Sequence, residues 1–198
     1  KDENTDFDDY ITDLKEGIER LIRLNEAEDK IQGIGIGAPN ANYYTGEIVD
    51  APNLPWPGVV PLAEKVSKVF NGIPVAVTND ANAAALGEMT YGAARGMRDF
   101  IMITLGTGVG SGIVVNGQLV YGHDGFAGEL GHIIVKRNNG RICGCGRTGC
   151  LEAYCSATGV ARSAREFLEV RTEPSELRNL QIDDITSKDV YDAAMAGD

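Results

Sequence analysis

Three of the four cysteines and one of the two histidines stand in the pattern His132-x10-Cys143-x-Cys145-x4-Cys150. Three thiolates and an imidazole make a tetrahedral zinc set, and wrapping four ligands around one ion restricts the local fold severely. Gly140, Gly144, Gly146 and Gly149 supply the tight turns that such wrapping needs. A redox C-x-x-C is absent, because a single residue separates Cys143 from Cys145. A disulfide would leave His132 and the glycines without a role. Four protein ligands close the shell, so the metal is expected to be structural rather than a Lewis acid. Cys155 lies beyond the tight group and reads as a small buried apolar residue.

The rest of the chain must build a core around this knuckle. With 198 residues, 43% hydrophobic and 24% charged, there is material for one good core or two small ones. Ile11, Leu14, Ile18, Leu21 and Ile22 recur at helical spacing, so 6–24 is expected to be a helix capped by Asp6 or Thr5. KIQGIGIGAPN (30–40) reads as a buried strand running into a Gly/Pro loop. Turn signals follow at Thr45-Gly46, Ala51-Pro52 and Pro55-Trp56-Pro57, then a helix over 60–71 with Pro61 in its first turn. A strand is expected over 73–80, a small-residue helix over 81–94, and two apolar strands within 99–122 with a hairpin at Asn116-Gly117. Helices over 156–170 and 187–196 close the pattern, the second opened by a capping-box-like Thr186-x-x-Asp189. Strand–helix–strand units with a hairpin indicate an α/β fold.

Two further segments carry chemistry. TLGTGVGSG (104–112) is a strand, a glycine loop and a strand. It does not open a helix as a dinucleotide fingerprint must, and no Lys-Ser/Thr follows as in a P-loop. Its amides, with the Thr107 hydroxyl, suit an anion nest; a plain hairpin turn fits equally well. Asn79-Asp80 ends a strand where a helix begins, which is where open α/β sheets bind ligands, yet an Asp there also serves simply as a cap. The alanines after it let the helix approach a neighbouring surface closely.

Glu129 and His132 share a face if residues 129–132 form one helical turn, and Glu152 follows the last ligand by two positions. Carboxylates fixed by a folded knuckle suit the hydroxyls of a polyol; a pair of surface glutamates near a metal is the plainer reading. The net charge of −11 opposes binding to nucleic acid, and any anionic substrate must be held by local amides or a cation. The opening KDENTDFDDY is no secretory signal, and no apolar run reaches the roughly 20 residues of a membrane span, so a cytoplasmic protein is expected.

Taken together these segments resemble the ROK family of sugar kinases and related repressors. The residues that carry the resemblance are Gly35-Ile36-Gly37-Ala38-Pro39, Asn79-Asp80-Ala81-Asn82, Gly106-Thr107-Gly108-Val109-Gly110, Gly128-Glu129-x-Gly131-His132 and Cys143-Gly144-Cys145-Gly146-x-x-Gly149-Cys150-Leu151-Glu152. It spans about residue 31 to about residue 166, and Ser156–Arg162 looks most like the glucokinase branch. The resemblance implies an actin-like, hexokinase-like ATPase fold with a ribonuclease H-like motif, two α/β domains with a cleft between them. Residues 1–96 would be the remainder of a small N-terminal domain. Residues 97–198 would be the first part of a large C-terminal domain with the zinc knuckle at 132–150. The family's Asp-x-Gly-Gly-Thr phosphate motif and its later adenosine-side glycine pair do not occur in this sequence, so an incomplete fold is expected.

By position, Asp80 matches the family's catalytic base, and Asn79, Asp80, Glu129, His132 and Glu152 match its sugar-binding residues. Gly106, Thr107, Gly108 and Gly110 would face the nucleotide phosphates. His132, Cys143, Cys145 and Cys150 would hold structural Zn²⁺. The resemblance further implies a hexose, with glucose expected, ATP with Mg²⁺, and a homodimer. The loop 38–57, with Asn53 and Trp56, would tune the choice of sugar, although Trp56 reads more simply as a packed loop anchor. A sugar-sensing repressor of the same family is the alternative, its DNA-binding domain being absent from this sequence.

Overall fold

The computed structural model describes residues 6–51 and 54–198; Thr5, Pro52 and Asn53, named above, lie outside them. The chain divides into two compact units, one of residues 1–101 and 112–127, the other of residues 102–111 and 128–198. Among the described residues no helix is long and apolar enough to cross a membrane.

In the first unit, helix α1 (Phe7–Leu24) opens on Asp6, whose side chain accepts the Asp8 N–H at 2.8 Å. Strand β1 (Ile34–Gly37) is shorter than the sequence suggests. Beyond it Ala38 still donates to Thr78 O, and Pro39 then has no N–H to continue a ladder. The pair β2 (Ile48–Val49) and β3 (Val59–Val60) is followed by α2 (Leu62–Val69), with Pro61 at its cap. Strand β4 (Val75–Thr78) then pairs in parallel with β1, from Ile34 opposite Val75 to Gly37 opposite Thr78. Ile11, Ile48, Val60, Leu62, Val66 and Val77 form the core, and Trp56 packs beside it against Phe7 and Tyr10, with ring centroids 5.0 and 4.8 Å away. Trp56 is therefore a packed anchor.

Helix α3 (Asp80–Tyr91) starts one residue earlier than expected, and its cap is Asn79 rather than Asp80. The alanine face is used as the sequence suggests. A Cβ placed on Gly112 would lie 2.5 Å from Ala85 Cβ, and one on Gly37 would lie 2.9 Å from Ala83 Cβ. Gly112→Ala should therefore cost about 1–3 kcal/mol by overpacking, read as a lower denaturant midpoint at unchanged m-value. Strands β5 (Phe100–Leu105), β6 (Val109–Val115) and β7 (Gln118–Leu119) form a sheet in that order. Asn116 and Gly117 turn between β6 and β7 with φ of 53° and 76°, the left-handed pair that an Asn-Gly hairpin adopts.

In the second unit, helix α4 (Glu152–Cys155) leads into α5 (Ala157–Val170), capped by the Ser156 hydroxyl, which accepts the Gly159 N–H at 3.1 Å. Helix α6 (Ser187–Met195) carries the expected Thr186–Asp189 capping box. Leu177, Ile185 and Ala193 are buried together, with Ala164, Leu168 and Val190 packed around them.

Candidate metal centre and glycine loop

The ligand set assembles through backbone pairing rather than through a helix. Ile142 bridges Thr148 in antiparallel fashion, and the turn between them is closed by Cys143 N–H to Arg147 O at 2.8 Å and Gly146 N–H to Cys143 O at 2.9 Å. A second bridge pairs Cys150 with Ile134, and Leu151 N–H reaches Ile133 O at 2.9 Å. This return brings Cys150 beside the short 3₁₀ turn Leu130–His132, whose last residue is His132. One ligand atom each from His132, Cys143, Cys145 and Cys150 lies within 4.8 Å of the others. Cys143 Sγ is 3.7 Å from His132 Nδ1, and Cys145 Sγ is 3.7 Å from Cys150 Sγ. A tetrahedron with Zn–S bonds of about 2.3 Å has edges of about 3.8 Å. Cys143 and Cys150 are buried and Cys145 is exposed.

The electrostatics match. Burial pushes the Cys143 thiol up to about 12; the Cys145 backbone N–H opposes this, and the Cys145 and Cys150 side chains add to it. Burial also opposes ionisation of Cys145, but hydrogen bonds from the Arg147 backbone and side chain and from the other two thiols outweigh it and bring this group down to about 6. Three sulfurs and an imidazole converge here, and a bound dication would supply the positive charge that three thiolates need. The donor set fits zinc. Cys155 stays out of it; its Sγ donates to Leu151 O at 3.1 Å from a half-buried position.

The flanking acids lie against this centre. His132 turns Nδ1 to the ligand cluster and Nε2 towards Glu129 Oε2, 3.9 Å away. Glu152 has one carboxylate oxygen on each side: Oε2 accepts the Val109 N–H at 2.9 Å, and Oε1 is 3.5 Å from Cys143 Sγ. The glycine loop is itself hydrogen-bonded, with Gly106 N–H to Gly108 O at 3.0 Å and Gly106 O accepting Ala157 N–H, at the start of α5, at 2.9 Å. His132, the three cysteines, Glu129, Glu152 and the loop at Gly106, Thr107, Gly108 and Gly110 all belong to the second unit. Asn79 and Asp80 belong to the first. There Asn79 Oδ1 and Asp80 Oδ1 both take the Ala81 N–H at 2.9 Å, and Asp80 is exposed.

Arg141 is the residue that sequence reasoning missed. Its side chain is 9% exposed and reaches Ala153 O, Gly159 O, Ser163 Oγ and Glu166 Oε2 at 2.8, 3.1, 3.0 and 2.7 Å. The guanidinium also covers the Tyr154 ring at 4.7 Å, and the Tyr154 hydroxyl accepts the Arg141 N–H at 2.8 Å. Arg141 therefore bolts the knuckle to α4 and α5. No local signal marks it, since every partner of its side chain is at least 12 residues downstream.

Hydrogen bonds from Arg141 and then Arg162 hold the Glu166 carboxyl below the usual carboxylate range. A depressed folded value adds stability above the unfolded value of about 4.3 and loses it as pH falls through the folded one. Stability should therefore drop with acid in the window below about pH 4.3. Glu166→Gln should flatten that limb in denaturant titrations run from neutral to acid pH.

Comparison with known proteins gives the following. A family model described as the ROK family matches residues 3–198. The chain is 46% identical over 183 residues to a glucokinase of Halalkalibacterium halodurans, covering 90% of this chain and 54% of that protein. Among solved structures, a ROK family glucokinase from Streptomyces griseus in complex with glucose and AMPPNP is 37% identical with a TM-score of 0.72, over 92% of this chain and 59% of that one. A ROK family transcriptional regulator, a homolog of the E. coli MLC protein, is 32% identical with a TM-score of 0.79, over 96% of this chain and 47% of that one. The chain spans about half the length of the curated relatives it matches.

Proposed function

Because the chain belongs to the ROK family and shares the actin-like ATPase fold of its hexokinases, we propose that it acts in ATP-dependent phosphorylation of a hexose, with glucose the first choice. The observation that carries this reading is the combination of 46% identity to a glucokinase with an exposed Asp80 at the start of α3 that does not serve as the helix cap.

In this reading Asp80 accepts the proton of the sugar's 6-hydroxyl as that oxygen attacks the γ-phosphorus of ATP. The new O–P bond forms as the bond to the ADP oxygen breaks, and ADP leaves. Asn79 and the carboxylates of Glu129 and Glu152, with the outward edge of His132, orient the sugar hydroxyls. Loop amides and the Thr107 hydroxyl within Gly106–Gly110 receive phosphate oxygens. Mg²⁺ bound with the nucleotide supplies charge neutralisation, and Zn²⁺ held by His132, Cys143, Cys145 and Cys150 supplies folding energy. The division into a small domain ending at residue 96 and a larger one from residue 97 belongs to the same reading, as do a homodimer and a cytoplasmic location.

The test is ATP-dependent phosphorylation of glucose, fructose, mannose, N-acetylmannosamine and N-acetylglucosamine by the full-length protein. Turnover of one sugar identifies the substrate. The similarity to a ROK transcriptional regulator supports a second reading, a sugar-sensing regulator. Binding of a sugar without turnover of any would select that reading over the kinase.

A further inference from the structure

Val109, at the end of the glycine loop, is held from two sides by residues that flank the metal ligands. Its N–H is taken by Glu152 Oε2 at 2.9 Å, two positions after Cys150. Its carbonyl lies directly against Gly131, where a Cβ would collide with it, one position before His132. Gly108 is equally close: a Cβ there would sit 2.5 Å from Glu152 Oε2. The other oxygen of Glu152 faces Cys143 Sγ at 3.5 Å, and the residue before it is tied to Ile133 by the Leu151 N–H. One carboxylate therefore spans from the ligand cluster to the loop.

A strand–loop–strand with glycines at 106, 108 and 110 has high backbone entropy. It presents its amides in one geometry only if something outside the loop fixes it. A charge-assisted hydrogen bond from a rigid knuckle does this more strongly than the loop's own Gly106–Gly108 contact.

We infer that Glu152 is a positioning residue that locks the glycine loop to the metal knuckle and so sets the affinity for nucleotide phosphates, beyond any contact it makes with a sugar. The nucleotide part rests on the kinase reading; the lock does not.

The test compares Glu152→Asp with Glu152→Gln in the full-length, zinc-loaded protein. Asp keeps the charge but is one methylene too short to reach Val109. Gln loses the charge but keeps a carbonyl that accepts the Val109 N–H. Zinc content, amide hydrogen exchange at Val109, and the Kd values of a non-hydrolysable ATP analogue and of glucose are measured. Asp should speed exchange at Val109 and weaken the ATP analogue, each about tenfold, and Gln, which keeps a neutral hydrogen bond, should fall between Asp and the wild type in both. A carboxylate acting only on sugar would instead weaken glucose in both variants and leave Val109 unchanged. Unaltered Val109 exchange in the Asp variant with zinc retained overturns the lock. If the wild type fails to bind the ATP analogue while Val109 exchange still follows the Asp and Gln order, the kinase reading fails and the lock stands.

Discussion

Asp80→Asn in the full-length protein should lower kcat for sugar phosphorylation by about 10²–10⁴-fold, the range that removal of a general base produces. Sugar affinity should change little. Asn has nearly the same shape, and its carbonyl can take the Ala81 N–H that Asp80 Oδ1 accepts at 2.9 Å, so the start of α3 survives. The helix cap is also untouched, because it rests on Asn79. The substitution therefore separates proton acceptance from architecture. Steady-state rates at saturating ATP and sugar, together with calorimetric sugar binding, check both halves. A kcat that stays at the wild-type value would remove Asp80 from the chemistry.

Cys145→Ser should release the metal and lower the unfolding temperature sharply. Cys145 is the exposed ligand, so the change creates no cavity and disturbs little packing. Loss of stability then reports the metal itself. Structural zinc sites in small peptides bind with apparent free energies of about 10–16 kcal/mol, which is folding energy when no site exists in the unfolded chain. One equivalent of zinc by elemental analysis in the wild type, none in the variant, and a matching fall in melting temperature on chelation of the wild type are expected. Wild-type protein stripped of metal and melting at its original temperature would refute a structural role.

Both predictions depend on how far residues speak for themselves. The capping box at Thr186–Asp189, the Asp6 cap and the Asn116-Gly117 turn were legible because each is completed within four residues of its start. The grouping of His132, Cys143, Cys145 and Cys150 was legible because thiol and imidazole donors in tight spacing have few other uses, and these four side chains do converge. Element ends were less so. Strand β1 covers four residues where a longer strand was expected, and α4 is too short to show a period.

The sequence by itself determined the grouping of one imidazole with three thiols, the starts of α1 and α6 and the hairpin that turns β6 into β7. Those depend on local chemistry, whether of side-chain type, hydrogen-bonding reach or permitted φ. Tertiary structure alone decided that Arg141 ties the knuckle to α5 and that Glu152 spans from Cys143 to Val109. The Arg141 and Glu152 contacts join residues 9 to 43 positions apart. Such contacts follow from how the chain returns on itself, and neither spacing nor periodicity carries that information.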